Sequence, residues 1–154
     1  MEAYINGLAW DYVQTHDISN LSKKNQNVLT ESERPVNIID KLVKIPRLVV
    51  EQEAGPLHQT REPLKSFIEV VKPYRDAIVH ASPFAAPERF GGYDKLSKLY
   101  ELNFATVKHA VDITLALVGN IHQFVNGDGQ LPAWIPSRAE DGKFILVPKQ
   151  PENY

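Results

Sequence analysis

The chain has 154 residues, 43% of them hydrophobic and 23% charged, with a formal net charge of −2. That suits a single domain with one sizeable core, and the charge balance excludes a protein that coats nucleic acid through bulk positive charge. It contains no cysteine, so disulfides, thiolate chemistry and cysteine-held zinc are excluded.

The N-terminal stretch MEAYINGLAWDYV has no basic leader followed by an apolar core, and so does not read as a signal peptide. With the missing cysteines, this leads us to expect a cytoplasmic protein. The most apolar run, AVDITLALVG at 110–119, is interrupted by Asp112 and falls short of the roughly 20 residues a membrane span needs. No membrane partner is expected.

In chain order, Tyr4, Ile5, Leu8, Ala9, Tyr12 and Val13 form one helical stripe over residues 4–15. No capping residue precedes it, so its first turn is expected to fray. Residues 17–34 are rich in Ser, Asn and Lys and read as a loop with at most one helical turn. Pro35 suits a first helical position; Ile38, Ile39, Leu42, Val43 and Ile45 supply an apolar side, and Pro46 is expected to end that helix.

Residues 46–59 read as irregular. A further helix is expected from a Thr60 N-cap through Leu64, Phe67, Ile68 and Val71, with Pro63 in its first turn. Pro73 either kinks it or starts a separate helix, before the breaker-rich loop SPFAAPERFGG. Residues 93–125 carry the strongest pattern, with apolar positions three and four apart and one gap at Asn103, which is expected to cap a second, longer helix. The tail is turn-rich, with one candidate strand at 143–147, and is expected to pack on the bundle through Trp134 and Ile135.

The fold class expected is all-α: a four- to five-helix up-down bundle over 1–126 with an irregular tail at 127–154. No Gly-rich phosphate loop, HExxH or GxSxG stretch is present, and no cofactor or metal is expected. His109 and Asp112, three apart, read most simply as a polar face beside Lys108, and His122 as a surface residue suited to a helix C-terminus. Trp10 and Trp134 read as core or lid residues.

PYRDAIVHASP at 73–83 is the stretch with chemical content. On a helix Asp76 and His80 are i,i+4 neighbours, so a carboxylate could orient an imidazole and raise its basicity. Arg75 is close enough to hold a phosphate while His80 moves a proton. The competing reading is a solvated stripe of Lys72, Arg75, Asp76 and His80 opposite Tyr74, Ala77, Ile78 and Val79. Salt bridges to Glu69 or Glu88 would favour it.

Arg75-Asp76-Ala-Ile-Val-His80 resembles the R-x4–6-H motif of the HEPN superfamily, in which a polar residue follows the arginine. EAYINGLAWDYV and DKLVKIP resemble the first helix and the one after it in such proteins, and the resemblance spans about residues 2–126. It implies a helical bundle and a homodimer whose two motifs form one cleft. The implied activity is that of a metal-independent endoribonuclease in a toxin or phage-defence setting. His80 would be its acid/base, Arg75 its phosphate clamp, and Asp76 would orient His80 or contact RNA. It equally allows a non-catalytic interaction module that binds a partner protein, RNA or a nucleotide, and it suggests an antitoxin or a nucleotidyltransferase as partner.

Overall fold

The computed structural model describes residues 1–80 and 98–127, the side chains of Val79 and His80 excepted. Among them the fold is an all-α helical bundle with no strand: α1 (Glu2–Thr15), α2 (Lys23–Thr30), α3 (Ile38–Val49), α4 (Leu64–Ser66), a π-helical segment (Phe67–Val71), α5 (Lys72–His80) and α6 (Phe104–Asn126). The loop at 82–92, the candidate strand at 143–147, Trp134, Ile135 and nearly all of the expected tail lie outside the described residues.

α1 buries Ile5, Ala9 and Tyr12, and Tyr4, Leu8 and Val13 pack partly buried beside them, as the stripe predicts. α3 lies against α1, α2 and α6, and α6 also packs on the π-helical segment. Ile5, Leu42, Ile45, Leu64, Leu117 and Ile121 are fully buried at the centre. Each such side chain contributes about 1.5–3 kcal/mol by leaving water.

α2 corrects the loop expected at 17–34. Ser22 accepts a hydrogen bond from the Asn25 N–H and caps the helix. Only Asn27, Val28 and Leu29 are buried, too few to make a periodic stripe. Asn27 is the hook. Its Oδ1 accepts from the N–H groups of Glu33 and Arg34, and its Nδ2 donates to the Arg34 carbonyl. A residue type that sequence reasoning assigns to turns is here a buried tie between a helix and the chain that follows it.

Pro46 does not end α3. The helix begins after Asn37, whose side chain accepts from the Asp40 N–H, and runs through Pro46 to Val49. Pro35 therefore precedes the helix rather than opening it. Pro46 removes one backbone donor, but it is fully buried, and Leu48 and Val49 beyond it pack on the core. Tertiary burial outweighs the local penalty.

Thr60 is not the N-cap of the next helix. Its N–H and hydroxyl both meet His58 Nδ1, and the first turn is held instead by the Glu62 carboxylate, which accepts from the Ser66 N–H. The helix then passes Pro73 without a break. In the π-helical segment the Lys72 N–H bonds the Phe67 carbonyl, five residues back. This wider turn lies where a proline ring would otherwise meet the carbonyl four residues before it.

Asn103 caps α6 as expected, accepting from the Thr106 N–H at 3.0 Å. At 23 residues, α6 is about 34 Å long. It stops at Gly127, whose φ of +71° is the left-handed geometry that glycine adopts without penalty.

Candidate functional site

α5 places Arg75 and Asp76 on the side of the bundle that meets the start of α1. Arg75 Nη2 donates to Glu2 Oε2 at 2.7 Å, and its Nη1 donates to Asp76 Oδ1 at 3.0 Å. Lys72 Nζ, one turn before Asp76, donates to Asp76 Oδ2. Both carboxylate oxygens of Asp76 are therefore taken by cations. Burial alone raises the Asp76 pKa, but the hydrogen bonds from Lys72 and then Arg75 prevail, and the carboxyl sits below its ordinary range. The same contacts, Asp76 first and Glu2 second, raise the Arg75 pKa.

The result is a cluster of two cations and two carboxylates, partly open to water: the side chains of Arg75 and Glu2 are 36% and 46% exposed. A phosphate reaching Arg75 must compete with Glu2. Arg75 pairs with Glu2 rather than with Glu69; Glu88 lies outside the described residues. His80 is the last residue of α5, one helical turn beyond Asp76, and its side chain is outside the described set.

Beside Arg75 runs an apolar groove of about 330 Å³ between α5 and α6, with Val71, Tyr74, Ile78, Val107, Val111 and Leu115 among its walls. Ile78 is 63% exposed and Val107 48%, while Tyr100 and Phe104 nearby in sequence are 89% and 84% exposed. The apolar stripe of 93–125 thus divides. Its later part, with Leu117, Val118 and Ile121, forms core. Among the described residues of its earlier part, Tyr100, Phe104 and Val107 face outward. Lys98 Nζ lies 5.8 Å from the Tyr74 ring centroid at one end of α5, a cation–π contact.

The other candidates settle into structural roles. Lys108 Nζ reaches Asp112 Oδ2 at 3.2 Å, and His109 is exposed. His122 does more than face solvent: its Nδ1 is 3.2 Å from the Tyr4 hydroxyl, which ties α6 to α1. His16 stacks on Tyr12 with ring centroids 4.3 Å apart. Trp10 is not core, being 65% exposed. Among the described residues no group of three or more His, Cys, Asp or Glu could hold a metal, and no helix is long and apolar enough to cross a membrane.

Sequence reasoning placed Lys72 on one stripe with Arg75 and Asp76, but missed Glu2 as a partner of the motif and missed Lys41 altogether. Lys41 is 2% exposed and bonds Asn6 Oδ1 at 3.0 Å and Glu31 Oε2 at 2.8 Å. A signal was present: with Ile38, Leu42 and Ile45 it completes the i, i+3, i+4, i+7 stripe of α3.

No protein-family model, no curated protein and no solved structure matches this chain.

Proposed function

We propose that the protein is a HEPN-like homodimer that cleaves RNA without a metal, with Arg75 and His80 of both copies in one cleft. The observation that supports this most is the exposed apolar groove directly beside Arg75. An apolar face of this kind marks an interaction surface, and a second copy seated on it would bring the two motifs together. In the proposed step His80 takes the proton of an RNA 2′-hydroxyl. The 2′-oxygen forms a bond to the adjacent phosphorus, the bond from phosphorus to the 5′-oxygen breaks, and that oxygen leaves with a proton from the second His80. Arg75 exchanges Glu2 for the scissile phosphate and stabilises its developing charge.

The test is cleavage of a mixed RNA pool in EDTA. Wild-type protein is expected to cut, and His80→Ala and Arg75→Ala to lose about two or more orders of magnitude in rate. DNA, which has no 2′-hydroxyl, is expected to survive. Wild-type activity equal to that of His80→Ala overturns the proposal.

A second reading has its own support. The occupied hydrogen bonds of Arg75 and Asp76 suit a non-catalytic HEPN-like module whose groove binds a partner protein, with the ion cluster holding α5 to α1. Dimerisation or partner binding through the groove, with no cleavage by the wild type, is the outcome that selects it.

A further inference from the structure

In the cluster at Arg75, two cations, Lys72 and Arg75, face two carboxylates, Asp76 and Glu2. Their formal charges cancel, so the cluster as it stands offers an incoming anion no net attraction. Withdrawing either carboxylate leaves an excess positive charge. The two carboxylates are not held alike.

Asp76 is fixed. It follows Arg75 directly on α5, and one of its oxygens accepts from Arg75 Nη1 while the other accepts from Lys72. Its side chain is only 21% exposed. Both cations that hold it lie within one turn of the same helix, so the three stay together for as long as α5 does.

Glu2 reaches in from another helix. Among the described residues Arg75 is its one ion-pair partner, and its side chain is 46% exposed, so water can take over the carboxylate when the contact opens. It lies in the first turn of α1, where the N-cap, Met1, bonds no N–H through its side chain. The unpaired N–H groups and the positive end of the helix dipole favour a carboxylate at this position whether or not Arg75 is near. Glu2 therefore keeps a favourable environment after release. Opening the contact takes a rotation of exposed side chains, which is fast, rather than a movement of either helix.

The strength of the contact suits reversible release. An exposed ion pair is worth about 1.4- to fivefold in an equilibrium constant, too little to lock Arg75 permanently. Glu2 is bonded to the guanidinium through one oxygen. A phosphate can offer two oxygens to the planar guanidinium fork, the stronger bidentate arrangement.

We propose that Glu2 is an autoinhibitory latch: an intramolecular carboxylate that covers Arg75 at rest and is displaced by a phosphate group. This rests on the reading of Arg75 as a phosphate clamp and adds the regulation of that site. By linkage, phosphate on Arg75 weakens the Glu2 contact by the same factor by which Glu2 weakens phosphate binding.

The test uses the full chain and inorganic phosphate as the probe, at constant ionic strength. NMR follows the side-chain N–H signal of Arg75, assigned with Arg75→Lys. Glu2→Gln keeps the shape of the side chain and removes its charge, and is expected to lower the phosphate Kd about 1.4- to fivefold. Glu33→Gln makes the same change in net charge at an exposed residue between α2 and α3, and is expected to leave the Kd as in the wild type. Unchanged or weaker phosphate binding in Glu2→Gln, an equal gain in Glu33→Gln, or no phosphate-dependent shift of the Arg75 signal in wild type and Glu2→Gln overturns the latch. RNA cleavage in EDTA by the same proteins separates the latch from the nuclease reading. Tighter phosphate binding in Glu2→Gln with no cleavage by any of them supports the latch and removes the nuclease. Cleavage by the wild type with the same phosphate Kd in Glu2→Gln removes the latch and leaves the nuclease standing.

Discussion

Glu31→Gln and Lys41→Met remove opposite ends of one ion pair, and their costs are expected to be unequal. Lys41's side chain is 3% exposed and Glu31's 36%. Glu31→Gln leaves an ammonium in the interior without its counter-charge, and the one amide oxygen that remains cannot accept from both Lys41 and the Val36 N–H as the carboxylate does. Stranding a charge from a fully buried pair costs about 3–5 kcal/mol. Because water reaches the Glu31 side, the expected cost falls to about 1.5–3 kcal/mol. Lys41→Met keeps the apolar stem in place and leaves a carboxylate that can turn to solvent, so its cost is about 0.5–1.5 kcal/mol. Urea unfolding followed by circular dichroism at neutral pH measures both. Equal costs, or a larger loss in Lys41→Met, would refute the assignment of Lys41 as the buried, dependent partner.

The same pair sets a pH dependence. The Glu31 pKa lies below its ordinary value of 4.5, through the hydrogen bond from Lys41 first and the Val36 N–H second. A lowered carboxylate pKa contributes stability that is fully present above the unfolded value and is lost as pH falls through the folded one. The gap in stability between wild type and Glu31→Gln is therefore expected to hold above about pH 5 and to shrink on acidification below about 4.5, which urea titrations at stepped pH would show. Leu117→Ala, at a fully buried position of α6, is expected to cost about 2–5 kcal/mol in the same unfolding assay. Asn103→Ala removes the cap of α6 and is expected to cost about 1 kcal/mol, read as a lower thermal midpoint, with Asn103→Ser recovering most of it.

The elements legible in the sequence were those where periodicity and punctuation agreed. α1 follows its stripe, and α6 starts at the residue where the stripe breaks, because an Asn side chain can satisfy the first free N–H groups of a helix. Pro46 misled: the local rule predicts a break there, but burial around it carries the helix on. At Pro73, where a kink or a new start was expected, the helix continues after a π-helical turn. α2 was hidden because a helix that buries three adjacent residues has no period to detect.

At the candidate site, the adjacency of Arg75 and Asp76 was legible. Their partners were only half so. Lys72, one turn from Asp76, was on the stripe read from spacing, whereas Glu2 lies 73 residues from Arg75 and is brought to it only by the tertiary fold. The outward face of early α6 was likewise hidden, since periodicity shows that a stripe is apolar and not what covers it. Lys41 was visible as a charge on a core stripe. Its partner Glu31 was not, because it follows a helix the sequence did not reveal.

The central claim joins the groove to the motif: a second copy on the α5–α6 face completes a cleft that cleaves RNA. The most direct measurement is specific RNA-cleaving activity in EDTA across a range of chain concentrations, for wild type and for Val107→Asp, which puts a charge on the exposed wall of the groove. The account predicts that wild-type activity per chain rises with concentration to a plateau, and that Val107→Asp stays at the level of His80→Ala throughout. Activity per chain that does not change with concentration and survives in Val107→Asp would contradict it.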